Sequence, residues 1–84
     1  MYSIIIPSLG RINYLNNLLE SIYLQTLLPR EVIIIFDDNE ECRSIENLIH
    51  RKTFIKVIFY KNLTTSQKSN SGVSIAKSDN IIFS

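Results

Sequence analysis

Val32-Ile33-Ile34-Ile35-Phe36-Asp37-Asp38 is the stretch on which the fold of this chain turns. Five apolar residues follow one another, four of them β-branched, with no polar residue alternating between them. Such a run describes a strand buried on both faces, the habit of a parallel sheet, and the two aspartates mark where it leaves the core. Ser3-Ile4-Ile5-Ile6-Pro7 repeats the pattern upstream. Downstream, Ile55–Tyr60 is more mixed and suits a strand nearer an edge, while Asn80–Phe83 reads as a fourth, buried strand.

Helical spacing fills the intervals. From Arg11 to Thr26, Ile12, Leu15, Leu18, Leu19 and Ile22 recur every three or four residues and form one apolar stripe, and Pro29 supplies the stop. A weaker helix is predicted over Glu41–Arg51, with Ile45, Leu48 and Ile49 on one side. A third runs from about Ser66 to Lys77, where Ser69, Gly72, Val73 and Ala76 make a small-residue face suited to lying close on a sheet. The fold class is therefore α/β, in the order β-α-β-α-β-α-β. Right-handed crossovers then give a parallel sheet with helices on both faces, three layers in all. Ligands of such sheets bind beyond the carboxyl ends of the strands. That confines the search to Pro7–Arg11, Asp37–Glu41 and Lys61–Ser66.

Composition narrows the function classes. The 84 residues are 45% hydrophobic and carry nine Lys and Arg against eight Asp and Glu, too apolar and too balanced for a disordered chain. They form one domain at most, and a chain so short buries only about 60–65% of its unfolded surface. A net charge of +1 creates no field that would recruit nucleic acid. No apolar run is long enough to span a bilayer, and Met1–Pro7 lacks the features of a signal peptide. A cytoplasmic location is expected, with a peripheral place at the inner face of a membrane left open. Cys42 and His50 are one of each, too few for an internal disulfide or a structural zinc site, and read as core or surface fillers.

Within the search area, Pro7 lacks an N–H and is expected to end the strand ladder, Ser8 can hydrogen-bond a ligand, Gly10 permits an unusual turn, and Arg11 can fork onto a phosphate. The alternative is a plain turn with a solvated arginine. Asp37 and Asp38 can accept hydrogen bonds from a base or ribose, or hold a metal. Equally, they can be a charged turn that caps the next helix. The G-x-G-x-x-G fingerprint, the P-loop and the nucleophile elbow are all missing from the sequence.

Taken in order, these segments resemble the start of the inverting family 2 glycosyltransferases, which have the GT-A fold. Ser3-Ile4-Ile5-Ile6-Pro7-Ser8-Leu9-Gly10-Arg11 resembles the family's S-I-I-I-P-T-Y-N-R. Leu18–Thr26 ends in the expected Gln-Thr, and Pro29-Arg30-Glu31-Val32-Ile33-Ile34-Ile35-Phe36-Asp37-Asp38 resembles P-x-E-I-I-V-V-D-D. Ser69-Asn70-Ser71-Gly72-Val73 through Phe83 resembles R-N-x-G-I-x-x-A-x-G-D-Y-I-V-F. There are departures. One extra apolar residue places Phe36 where the first acid stands, Leu9-Gly10 replaces an aromatic and Asn, and Ser69 replaces an Arg, leaving Lys68 as the nearby cation.

The resemblance implies that residues 1–84 are a partial nucleotide-sugar-binding domain, the N-terminal half of a Rossmann-like GT-A unit. Its nucleotide-binding set would be Pro7, Ser8, Arg11, Asp37, Asp38 and Lys68, with no catalytic or metal-binding residue among them. The intact enzyme would pass a sugar from a UDP- or GDP-linked donor to a saccharide or lipid-linked acceptor, with inversion. It would use Mg²⁺ or Mn²⁺ on a D-x-D motif that would follow Ser84. The segment alone is expected not to catalyse transfer, and an incomplete sheet is expected to self-associate through its edge. Two other readings stand beside this one: a non-enzymatic flavodoxin-like or receiver-like module, and a remnant of a transferase gene. A receiver would want its acidic pair after the first strand, which argues against the former.

Overall fold

The computed structural model describes residues 2–8, 11–61, 63–78 and 80–83. Four strands, β1 (Tyr2–Pro7), β2 (Glu31–Asp37), β3 (Ile55–Tyr60) and β4 (Asn80–Phe83), form one parallel sheet in the order β3-β2-β1-β4. The two strands with uninterrupted Ile/Val runs, β1 and β2, take the interior positions. The mixed strand β3 takes an edge, as its sequence predicts.

Helices α1 (Ile12–Tyr23), α2 (Glu40–Ile45) and α3 (Thr65–Ile75) divide between the two faces. The chain steps β1→β2→β3 in one direction, so right-handed crossovers put α1 and α2 on the same face. It then reverses past β1 to reach β4, which carries α3 to the other. Strand parity sorts the core accordingly. Ile4, Ile6, Val32, Ile34 and Phe36 meet Leu15, Leu19, Ile22, Cys42 and Ile49 on the α1/α2 side. Ile5, Ile33 and Ile35 pack on the α3 side with Ile58, Ala76 and Ile81 around them.

The small-residue face of α3 lies on the sheet through Gly72 and Ala76, whereas Val73, read on the same face, turns to solvent. A β-carbon placed on Gly72 would stand 2.6 Å from Ile5 Cγ2, closer than real Cβ contacts allow, so glycine is what lets the helix settle on β1. Thr64 begins α3 with a reciprocal cap. Its side chain accepts from the Gln67 N–H at 3.2 Å, and Gln67 Oε1 accepts from the Thr64 N–H at 2.8 Å.

Three expectations need correction. The second helix stops at Ile45 and tightens into a 3₁₀ turn over Glu46–Leu48. The wider angular step of that turn swings Leu48 into solvent while Ile49 stays buried. The fourth strand is not buried: β4 pairs only with β1 in the described sheet, and Ile82 and Phe83 are about half exposed. Pro7 does not end the ladder either, because it pairs with Ile35 and the Ser8 N–H donates to the Ile35 carbonyl at 2.9 Å. In a strand successive N–H groups point to opposite sides. The donor that proline lacks would therefore have faced β4, whose pairing with β1 runs only to Ile5↔Phe83.

Candidate nucleotide-binding site

Parity along β2 decides where its two aspartates point. Phe36 is the last residue directed to the α1/α2 side. It is fully buried and stacks on Phe59 at 5.7 Å between ring centroids. The apolar residue that stands where the family's first acid is expected is thus core, and Asp37 is the first acid to emerge. Asp37 emerges on the α3 side and meets Lys68, from the first turn of α3, with Nζ 2.8 Å from Oδ1. Lys68 is only 2% exposed, whereas the Asp37 side chain is 39% exposed. The same ammonium lies 3.5 Å from the Ser8 carbonyl at the end of β1. Three of the six residues read from the sequence therefore converge, each carried by a different element.

Asp38 turns the other way, to α2. Arg43 Nε donates to its Oδ1 at 2.6 Å, and the guanidinium also sits 4.3 Å above the Phe59 ring centroid. That hydrogen bond holds the Asp38 carboxyl below its usual range and pushes the Arg43 guanidinium above its own. Main-chain bonds fix both acids: the Asp38 N–H donates to the Tyr60 carbonyl at 2.8 Å and the Asn39 N–H to the Asp37 carbonyl at 3.1 Å. Neither aspartate caps α2. Asn39 does, its side chain accepting from the Cys42 N–H at 2.7 Å, with Glu40 and Glu41 in the first turn. Burial, with the Asp37 charge adding to it, raises the Cys42 thiol and leaves it a packing residue.

An open cleft of about 370 Å³ lies beside these groups, lined by Asp37, Asp38, Asn39, Lys61 and Leu63. Its volume is that of a small ligand site. Asn39 and Lys61 lie within the strand-end stretches but carry no site signal of their own in the sequence, and Arg43 lies outside those stretches. The one available signal was its placement a turn and a half beyond Asp38 on a predicted helix. Pro7 is half-buried beside Ser8, while Arg11 is exposed just before α1 and makes no ion pair with another described residue. Leu9, Gly10 and Asp79 lie outside the described residues.

Asp37 and Asp38 diverge to opposite faces, and each is bound by its own cation. Among the described residues there is no group of three His, Cys, Asp or Glu fit for a metal.

Parallel strands in the order 3-2-1-4, with helices on both faces and acids at the carboxyl ends, define a Rossmann-like α/β unit and agree with the N-terminal half of a GT-A domain. The sequence model of glycosyl transferase family 2 matches residues 3–84, and the chain belongs to that family. No curated protein and no solved structure matches it. Membership supports a glycosyltransferase-type function, for which nucleotide-sugar donors, acceptors and divalent metals are general features. No helix among the described residues is long and apolar enough to cross a membrane.

Proposed function

We propose that residues 1–84 are the donor-nucleotide-binding part of a family 2 glycosyltransferase, binding the nucleoside of a UDP- or GDP-linked sugar through Pro7, Ser8, Arg11, Asp37, Asp38 and Lys68. The observation that carries this is the meeting of the Asp37 carboxylate, the Ser8 main chain and the Lys68 ammonium at the carboxyl ends of β1 and β2, beside a cleft that lies between the ends of β2 and β3. A half-exposed carboxylate held in place by a buried cation is a fixed acceptor for a base N–H or ribose hydroxyl, and Lys61 and Asn39 add donors at the rim.

In the full reaction an acceptor hydroxyl, saccharide or lipid-linked, attacks the anomeric carbon. The new C–O bond forms as the bond to the nucleoside diphosphate breaks, a base takes the hydroxyl proton, and the configuration inverts. This reading assigns the base, the acceptor site and the carboxylates for Mg²⁺ or Mn²⁺ to segments after β4. The present residues then bind nucleotide without transferring sugar.

The test is titration of the chain with UDP and GDP, followed by calorimetry and by amide chemical shifts. One of the two is expected to move the amides of Ser8, Asp37, Asn39 and Lys61. Asp37→Asn, checked by circular dichroism to be folded at the working temperature, is expected to weaken that binding at least about tenfold, as loss of a charged acceptor should. Undiminished affinity in the folded variant would remove Asp37 from the site.

A further inference from the structure

We infer that the opposite end of the sheet, the loop 24–30 together with residues 50–52, is a docking surface for an anionic lipid bilayer. Leu24, Leu27 and Leu28 are 86%, 74% and 43% exposed. A single exposed leucine needs no explanation, but three within five residues on one loop form a patch. The loop is held in shape. The Tyr2 hydroxyl donates to the Leu27 carbonyl at 2.7 Å and lies 3.0 Å from Gln25 Oε1. The Arg30 N–H donates to the Tyr2 carbonyl at 2.8 Å, and Pro29 is buried. The leucines project from an ordered backbone.

Cations border them. Leu24 shares a cleft of about 350 Å³ with Glu20, Tyr23, His50, Arg51 and Lys52. Glu46 is paired with Arg51 at 3.7 Å, and the Glu20 carboxylate, the one acid lining the cleft among the described residues, lies 3.1 Å from His50 Nδ1. Lys52 stands 4.8 Å above the Tyr23 ring centroid without an acidic partner among the described residues, and Arg30 is exposed on the loop itself. Apolar tips bordered by Arg30 and Lys52 suit the boundary between headgroups and acyl chains of a membrane that carries negative lipids.

A second copy fits less well. A two-fold contact would bring two copies of this patch, each carrying Arg30 and Lys52 and no fully unpaired acid among the described residues to match them, against one another. The leucines offer at most a few hundred Å², against the roughly 1,200–2,000 Å² of a stable interface. A soluble phosphate would account for the cations and leave the leucines unexplained. Both segments feed the amino ends of β2 and β3, so a bilayer bound here would leave the carboxyl-end site facing away from it.

The experiment is co-sedimentation of the chain with vesicles of phosphatidylcholine alone and with added phosphatidylglycerol. Binding is expected with the anionic vesicles, weakening as salt rises. Leu24→Asp with Leu27→Asp should lower it at least about tenfold, since each leucine is then denied its apolar surroundings. Arg30→Gln with Lys52→Gln should abolish the preference for anionic lipid, whereas Leu27→Phe should retain binding. These side chains lie outside the core, and circular dichroism confirms that each variant is folded. No binding to either vesicle would overturn the proposal. So would binding that ignores the leucine changes, or a dimer in solution that they dissolve. Inorganic phosphate that binds at His50–Lys52 in the absence of vesicle binding would assign the cleft to a soluble anion instead.

Discussion

Lys68 occupies a place that its side chain would not choose in water. Its ammonium is almost fully buried, and its charge is answered by one carboxylate and, at greater distance, one carbonyl. The two ends of this pair are unequal, because Asp37 keeps 39% of its side chain in solvent. Removing the exposed partner strands a buried cation; removing the buried one leaves a carboxylate that water can solvate. Asp37→Ala is therefore expected to destabilise the fold by roughly 1–3 kcal/mol, discounted from the buried-pair range for its exposure. Lys68→Met, similar in volume, should cost distinctly less. Chemical denaturation of the two variants side by side checks the order, and a larger loss in Lys68→Met would contradict this account. Both residues are legible in the sequence as site candidates, but their pairing is not. It requires α3 to cross back over β1, a consequence of sheet order that no local pattern encodes.

At the scale of elements, one buried carboxylate ties the sheet together at its amino end. Glu31, the first residue of β2, accepts from Ser3 Oγ of β1 at 2.7 Å and from Lys56 Nζ of β3 at 2.7 Å. The backbone N–H of Lys77, between α3 and β4, donates to it as well. Burial alone would raise its pKa, but these three donors outweigh burial and bring it down from 4.5 to about 2. A depressed folded-state pKa contributes stability that is fully present above 4.5 and is lost as pH falls through about 2. The linkage amounts to about 3 kcal/mol. Glu31→Gln is expected to be less stable than the native chain by about that much at pH 7, with the gap closing between pH 4.5 and pH 2. Urea denaturation across this range measures it, and a gap independent of pH would show that the carboxylate's charge is not what matters. The sequence places Glu31 in a family-like P-x-E but gives no sign of its burial, because the donors come from residues 28, 25 and 46 positions away. Strands were more legible. Runs of β-branched residues admit little else, and all four lie within a residue of their predicted limits. The start of the second helix is legible to within a residue too, but its end is not, since the sequence does not show where α-helix tightens into a 3₁₀ turn.

The whole molecule is an oriented plate with two ends and two edges, and the edges differ in their protection. Along β3, Lys56 is anchored to Glu31 and Arg43 covers Phe59, so charge guards that side. β4 reads Asn-Ile-Ile-Phe, has no charged residue, and presents Ile82 and Phe83 half exposed at the outer edge of the described sheet. Such an edge is a template for another strand. The parallel sheet is readable in the alternation of elements, whereas the strand order that leaves β4 at an edge, and with it the exposure of β4, is not. An apolar strand looks the same in sequence whether a neighbour covers it or solvent does. The chain is expected to associate as concentration rises, through β4. Ile82→Lys adds a charge on that edge, at a position whose side chain faces the α1 side and belongs to neither core cluster. It should suppress association in sedimentation velocity while changing the unfolding free energy by no more than about 0.5–1 kcal/mol. The same substitution should leave vesicle binding at the loop 24–30 unaltered, which separates edge pairing from the leucine patch. If Ile82→Lys associates as strongly as the native chain, the contact lies elsewhere on the plate. The β3 edge would be the next to charge.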